Sequence, residues 1–358
     1  MIAAGGTAGH VVPALAVAGA LRAEGAEVSF IGGERAEAEL VPKAGYELRQ
    51  IEVEGMSRTN PLRAARALAR AGFAFLRARS VLKELEPDAV MGGGGYVAGP
   101  VGLAALTLRI PLVLSEADSH LGLTNRVRAR GARRVCLAVP LAGRDGSRYR
   151  VTGRPGPAPR EGREGARERL GLAAGERWVL VFGGSLGARS INMAAVEAFA
   201  GEDSKVEMSA GTAIHVLHVT GRRDYPELTA RALPTGYDLR EYLDLDEFGD
   251  ALAAADLVVA RAGGSVFEIA ASGTPAILVP YPHASADHQT ANARWMADAG
   301  AAVVIADGEL NAGLLARKVD ELLGDRERLA AMASASKGLA RPDAARDIAD
   351  ELLGAARA

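Results

Sequence analysis

Two segments of this chain share a spelling suited to holding an anion by its backbone. Gly5-Gly6-Thr7-Ala8-Gly9 and Gly183-Gly184-Ser185-Leu186-Gly187 both read G-G-x-x-G, and each is followed at once by a helical stretch. Without Cβ atoms, such glycines let backbone N–H groups and the positive end of a helix approach a phosphate. Neither loop is G-x-G-x-x-G, and no acidic residue stands at the next strand's end to hold a ribose, so NAD is disfavoured. Neither is G-x-x-x-x-G-K-[ST], which excludes a P-loop NTPase. A ligand-free tight turn would explain either loop alone. The repeat points instead to two tandem nucleotide-binding-like domains facing across a cleft.

His10 directly follows the first loop at a helix start, where the positive end favours a neutral imidazole able to take a proton from a hydroxyl. A third cluster, Gly92 to Pro100, sets Tyr96 among glycines. Arg261-Ala262-Gly263-Gly264-Ser265 follows an apolar run, with Glu268 one turn into the next helix. A carboxylate there can accept from two vicinal hydroxyls, as on a ribose, or it can simply complement the helix dipole. In the polar loop His283 to Asn292, the spacing of His283, Asp287 and His288 matches no zinc motif, and no metal is expected. Asp244-Leu245-Asp246 spells D-x-D, which holds a divalent cation in some sugar-nucleotide enzymes. Because it immediately precedes the helical stretch Glu247–Ala255, it is read as an N-cap.

These residues need elements to carry them. Apolar runs of four to six residues alternate with longer helical stretches, the pattern of an α/β fold with parallel sheets. Strands are expected at Val28–Gly32, Ala89–Met91, Leu112–Ser115, Val135–Val139, Trp178–Phe182, Val216–Thr220, Leu257–Ala260 and Ala276–Pro280. The run Gly153-Arg154-Pro155-Gly156-Pro157-Ala158-Pro159 can continue neither element and marks a hinge. Three pieces are expected: an N-terminal Rossmann-like domain over 1–153, a second over 154–340, and a C-terminal helix over 341–358 packing back towards the first.

With 358 residues, 49% hydrophobic and 24% charged, the chain is long enough for two cores and is neither disordered nor fibrous. A net charge of -2 argues against nucleic acid as a partner. The charge is uneven, however. Residues 1–152 hold 20 Lys+Arg against 14 Asp+Glu, the rest 22 against 30, so a local anionic partner of the N-terminal half is expected. One cysteine, Cys136, excludes a disulfide framework and fits a reducing cytoplasm. No apolar run reaches the roughly 18–20 residues of a membrane span. The stretch Gly55–Lys83 carries seven basic and no acidic residues. On its helical periodicity Leu68, Ala71, Phe75, Ala78, Leu82 and Leu85 form a core stripe, while Leu62, Phe73 and Leu76 flank Arg66, Arg70 and Arg77.

Taken together, G-G-T-x-G-H-x-x-P (Gly5 to Pro13), G-G-Y-V-x-G-P (Gly94 to Pro100), L-T-N (Leu123 to Asn125), G-G-S-x-G-A-x-x-x-N (Gly183 to Asn192) and R-A-G-x-S (Arg261 to Ser265) resemble one family over essentially the whole chain. It is the MurG glycosyltransferase family of peptidoglycan synthesis, with a GT-B fold. The resemblance implies transfer of N-acetylglucosamine from UDP-N-acetylglucosamine to the muramoyl 4-hydroxyl of lipid I, giving lipid II. It also implies inversion without a metal or bound cofactor. By motif position, Thr7, Ala8 and Gly9 would line the donor and diphosphate region, and Asn125 would contact the sugar. Ser185 would face the diphosphate, Leu243 and Arg261 would flank the uracil, Glu268 would hold the ribose beside Ser265, and Gln289 would contact sugar hydroxyls. His10, Tyr96 and Glu116 would lie on the acceptor side, His10 being the first candidate base and Glu116 the second. The family's H-E-Q-N stands here as Ser115-Glu116-Ala117-Asp118, and its G-N-P-V-R as Gly153-Arg154-Pro155-Gly156-Pro157, with Arg154 read in place of the missing arginine. A lipid-linked acceptor further implies peripheral docking on an anionic, cytoplasmic membrane face through the helix after Pro61. A UDP-sugar 2-epimerase and a non-catalytic nucleotide-binding protein are the alternatives from other classes.

Overall fold

The computed structural model describes the chain except residues 54–60, 158, 161, 173–176, 185, 201–213, 285–286 and 358, and the side chains of 61–71. Two compact units form, residues 1–157 with 341–358, and residues 158–340.

In the first unit, β1 (Ile2–Ala3), β2 (Ser29–Gly32), β3 (Glu47–Gln50), β4 (Val90–Gly92), β5 (Leu112–Glu116), β6 (Arg134–Leu137) and β7 (Tyr149–Val151) make one sheet. Every pairing is parallel, in the order β3-β2-β1-β4-β5-β6-β7. Parallel strands need crossovers, supplied by α1 (Ala8–Ala23), α2 (Ala36–Lys43), α3 (Pro61–Leu85), α4 (Ala98–Thr107) and α5 (Leu123–Arg128). The central strands are covered on both faces, which is why they read as unbroken apolar runs. Phe30, Ile31, Met91, Leu112 and Leu114 are fully buried, each worth about 1.5–3 kcal/mol on transfer from water. The strand order reverses between β1 and β4, and ligands of open α/β sheets bind outside the strand ends at that point. The first glycine loop leaves β1 and the Gly92–Pro100 cluster leaves β4, so the sheet itself brings them together.

The second unit repeats the plan. β8 (Arg177–Phe182), β9 (Ile214–Val219), β10 (Tyr237–Arg240), β11 (Leu257–Ala260), β12 (Ala276–Leu278) and β13 (Ala302–Val304) form a parallel sheet ordered β10-β9-β8-β11-β12-β13. Its helices are α6 (Arg163–Arg169), α7 (Arg189–Phe199), α8 (Tyr225–Leu228), α9 (Leu245–Ala254), α10 (Val266–Ser272), α11 (His288–Asp298), α12 (Ala312–Gly324) and α13 (Arg326–Leu339). Here the reversal lies between β8 and β11, and the loops that leave those strands are the second G-G-x-x-G and R-A-G-G-S. Asp244 caps α9 through a capping box, accepting from Asp246 N and Glu247 N while Glu247 accepts from Asp244 N.

The last helix, α14 (Ala344–Ala356), belongs to the first unit, where Ile348, Ala349, Leu352 and Ala355 join a core with Val11, Val17, Leu21, Val113 and Cys136. Arg134 and Arg150 clamp it through Glu351 at 2.6 and 2.9 Å, and Arg150 also reaches Asp347 at 2.9 Å. The unit boundary falls after Pro157 rather than after 153, because Arg154 is tied into the first unit through Gly9 O and Ala117 O, both at 2.7 Å. Besides the two-residue β1, four strands have no counterpart among those expected: β3, β7, β10 and β13, the edges of the two sheets. Among the described residues no helix is long and apolar enough to cross a membrane.

Candidate functional site

In the first unit Thr7, Ala8 and Gly9 are exposed at the loop tip, and Thr7 Oγ1 lies 3.5 Å from His10 Nδ1. Burial lowers the His10 pKa, with Asp118 and Glu37 opposing and Arg154 reinforcing the shift. The ring is therefore neutral at pH 7 and able to accept a proton. Beneath the loop sits a residue that the motifs did not single out. Glu37 is wholly buried and accepts from Gly6 N at 2.8 Å, Gly33 N at 2.8 Å and Tyr96 Oη at 2.9 Å. Burial pushes its carboxyl up, but these donors together outweigh that and hold it below the usual range. Tyr96 is thus a strut between the two glycine loops, its hydroxyl pushed up to about 12 by burial and by Glu37. Gly95 has φ +74, and a Cβ there would strike Gly5 O, so the loops touch backbone to backbone.

Glu116 ends β5 and is 8% exposed. Its Oε2 accepts from Gly122 N at 2.8 Å and Asn125 Nδ2 at 3.0 Å, and its Oε1 from Asp118 N at 3.4 Å. Desolvation outweighs those donors and raises its pKa to about 7, poised for proton transfer near neutrality. Asn125 is buried and also donates to Ser115 O at 3.4 Å; it braces Glu116, and its Oδ1 is left with no partner among the described residues. Arg154 bridges this segment to the first loop by donating to Ala117 O and Gly9 O, with Asp118 3.8 Å away. Glu116 and Asn125 are thus joined at the end of β5, and Arg154 ties that segment through Ala117 O and Gly9 O to the loop that carries His10 and rests on Glu37 and Tyr96.

In the second unit Ser185 lies outside the described residues. Gly187 has φ +79 and packs on the O of Thr220, the residue after β9, so close that a Cβ would collide with it. Asn192 locks the arrangement, donating to Thr220 O at 2.9 Å and Asp224 Oδ2 at 2.8 Å, with its Oδ1 3.0 Å from His218 Nε2. The segment Thr220-Gly221-Arg222-Arg223, overlooked in the sequence although it is another glycine turn after an apolar strand, reaches the same loop: Arg223 Nη2 donates to Leu186 O at 3.5 Å. Arg261 is buried and tethered rather than free. It pairs with Asp307 at 2.6 Å and donates to Ser190 Oγ at 2.8 Å and Val279 O at 3.1 Å. Ser265 and Glu268 are half-buried at the start of α10, Glu268 in its first turn. Gln289 accepts from Tyr281 N at 2.9 Å beside Gly263, and Asn292 Nδ2 donates to Ala262 O at 3.0 Å, tying α11 to the R-A-G-G-S loop. Leu243 is buried in an apolar cluster with Phe182, Val219 and Ala260. Among the described residues no group of three His, Cys, Asp or Glu could hold a metal ion.

Residues 1–137 match the glycosyltransferase family 28 N-terminal domain and residues 178–348 its C-terminal domain. The chain is 41% identical to the UDP-N-acetylglucosamine–N-acetylmuramyl-(pentapeptide) pyrophosphoryl-undecaprenol N-acetylglucosamine transferase of Moorella thermoacetica, over 99% of this chain and 98% of that one. It is 42% identical to the protein of the same name from Methylococcus capsulatus, over 99% and 97%. Among solved structures it is similar to Acinetobacter baumannii MurG, with a TM-score of 0.76 and 31% identity over 99% and 98% of the two chains. With two Rossmann-like units, both family 28 domains and this identity over nearly its full length, the chain belongs to the MurG family of glycosyltransferases.

Proposed function

We propose that the chain transfers N-acetylglucosamine from UDP-N-acetylglucosamine to the muramoyl 4-hydroxyl of lipid I, forming lipid II with inversion at the anomeric carbon. The observation that carries this reading is the match, over nearly the full length of both chains, to transferases of that name, together with the glycine loops that stand at the reversal points of both sheets. His10 takes the proton as the acceptor oxygen attacks the anomeric carbon and the bond to UDP breaks. It suits that role better than Glu116, because both Glu116 oxygens already receive donors. Glu116 orients the acceptor hydroxyl. The N–H groups of the 183–187 loop and the start of α7 receive the departing diphosphate. Glu268 holds the ribose, Gln289 the sugar hydroxyls, and Leu243 lines the uracil pocket. Arg261 acts through the α7 start, via Ser190, rather than as a free cation.

The acceptor is met at an anionic membrane surface. Phe73 and Leu76 on α3 are 73% and 61% exposed, and Arg77 beside them is exposed too, an apolar and basic pair of terms suited to the headgroup boundary. Leu62, Arg66 and Arg70 have side chains outside the described residues.

Labelled UDP-N-acetylglucosamine incubated with and without a lipid I analogue tests the chemistry. Transfer that requires the acceptor is expected; acceptor-free conversion of the donor to its 2-epimer would replace this reading by an epimerase, and saturable UDP binding with no turnover by a binding protein. Glu268→Ala should weaken donor binding by about 1.5–3 kcal/mol, the scale of a hydrogen bond to a charged group. Phe73→Glu with Leu76→Glu and Arg77→Glu should abolish sedimentation with phosphatidylglycerol vesicles while soluble acceptor analogues are still used.

A further inference from the structure

The second unit contains a cavity of about 940 Å³ that the transfer reaction does not use. It lies among α6, the ends of α9 and α10, the starts of β8 and β12, and α13. These strand starts are at the end of the sheet opposite the 183–187 loop, which leaves the far end of β8, about 20 Å away for six residues at roughly 3.3 Å each. The charge in this cavity is one-sided. Arg160, Arg163, Arg167, Arg177, Arg326 and Lys337 line it, with Asp256 as the one carboxylate among the described lining residues.

Asp256 cannot balance them. Its Oδ1 accepts from Arg163 at 2.6 Å and Arg177 at 3.2 Å, its Oδ2 from Arg167 and Trp178 N at 2.8 Å each, so its acceptor capacity is filled. Three guanidiniums share one negative charge. Arg163 and Arg167 also finish α9 by donating to Ala255 O at 2.8 Å and Ala254 O at 3.2 Å, which explains why they are held in place but not why a third arginine joins them. Burial lowers the Arg163 pKa, Asp256 opposes this, and Arg167 and Arg177 add to it, the signature of cations crowded together. On the α13 wall, Arg326 and Lys337 have exposed side chains with no carboxylate partner among the described residues. The Lys337 stem is packed over Gly273, which fixes where the ammonium is carried. Arg160 is balanced from outside the cavity by Asp246 and Asp250. Between the charges, Ala271, Leu329, Ala330 and Ala333 give an apolar wall. The volume is in the range of small-molecule sites, well beyond a single phosphate, and planar guanidiniums match phosphate oxygens two at a time.

We propose that this cavity is a second ligand site, which takes a phosphate-bearing anion at the end of the sheet opposite the glycine loop. The shared chemistry is a diphosphate or a phospholipid headgroup whose remainder lies on the alanine and leucine wall. At that separation the ligand acts on the enzyme's location or rate, not on the reacting atoms.

Inorganic pyrophosphate titrated into the full chain by calorimetry, with excess UDP present to fill the donor site, tests it. A binding event that survives UDP is expected. Arg326→Glu with Lys337→Glu should weaken it at least tenfold while UDP affinity is unchanged. Arg326→Ala with Lys337→Ala, which adds no new charge, should give a smaller loss in the same direction and serves if the charge reversal perturbs folding. No binding in the presence of UDP, or equal affinity in wild type and both variants, would overturn the proposal. Vesicles of equal parts phosphatidylglycerol and phosphatidylcholine separate the sources: displacement of pyrophosphate assigns the cavity to lipid headgroups, retention to a soluble diphosphate.

Discussion

The two G-G-x-x-G loops are spelled alike and built differently. Under the first lies a buried carboxylate: Glu37 consumes the Gly6 N–H and sets a negative charge beneath the loop. Under the second the carboxylate stands one step back: Asn192 donates to Thr220 O and to the buried Asp224, which Arg189 also pairs, while Arg223 donates to the loop at Leu186 O. At the first loop the carboxylate accepts a loop N–H directly; at the second it is held behind Asn192 and paired with Arg189. The difference teaches that a glycine loop is only a shape, and that what stands behind it decides whether it cradles phosphate or a neutral hydroxyl. It supports giving the diphosphate to the second unit and proton transfer to the first.

The largest expected effects come from the glycines that hold each loop against its neighbour. Gly95→Ala and Gly187→Ala each place a Cβ on a carbonyl oxygen at positive φ, and each should cost about 4 kcal/mol or more in denaturant unfolding. A loop that accepts its alanine is not rigid, and the comparison fails there. Next is the anchor itself. Glu37→Ala strands three donors and should cost about 3–5 kcal/mol, while Glu37→Gln keeps an acceptor for Gly33 N and Tyr96 Oη and should cost about half as much. If Glu37 also sets the electrostatics, the Gln variant should lose kcat with little change in donor KM; equal changes in both would leave it a purely structural group.

The units should also differ in how pH acts on them. Glu116 has a folded pKa of about 7 against an ordinary 4.5, so its contribution is fully present below 4.5 and is lost as pH rises through 7. Unit 1 should weaken by at most about 3 kcal/mol over that window, and Glu116→Gln should flatten the slope. His218 is the mirror case. Burial holds its pKa at about 3 against 6.5, so its contribution is present above 6.5 and is lost as pH falls towards 3. Unfolding followed by probes in each unit should therefore show opposite slopes; a first-unit stability that does not fall with pH would refute the Glu116 assignment, and a second-unit stability that does not rise with pH would refute that of His218. The smallest effect concerns metal. With Asp244 committed to its capping box, excess EDTA should leave turnover unchanged and Asp244→Ala should cost only about 1 kcal/mol of stability. Activity lost to EDTA and restored by Mg²⁺ would return D-x-D to the site.

Much of the fold is legible in the residues. The interior strands are apolar runs because both sheet faces are covered, so β5, β8 and β11 stand out before any folding is known. The edge strands do not. In β3 the residues are Glu47-Leu48-Arg49-Gln50, half solvated and with a partner on one side, and no alternation survives. Arg261 shows the same limit at the site. Its motif suggests a ligand contact, and no local pattern shows that Asp307, far along the chain and next to it in space, pairs with the guanidinium.

The sequence by itself determined two α/β units and the helix cap at Asp244. Each of these rests on local spacing, composition or turn chemistry, which act over a few residues. Only the tertiary structure decided that Glu37 lies under the first loop, that Asn125 braces Glu116, that Arg261 is tethered and that six cationic side chains share one cavity. Those facts depend on strand order. A parallel sheet sets β1, β2 and β4 side by side across some ninety residues of chain, and no short-range pattern encodes which side chain will meet which across that distance.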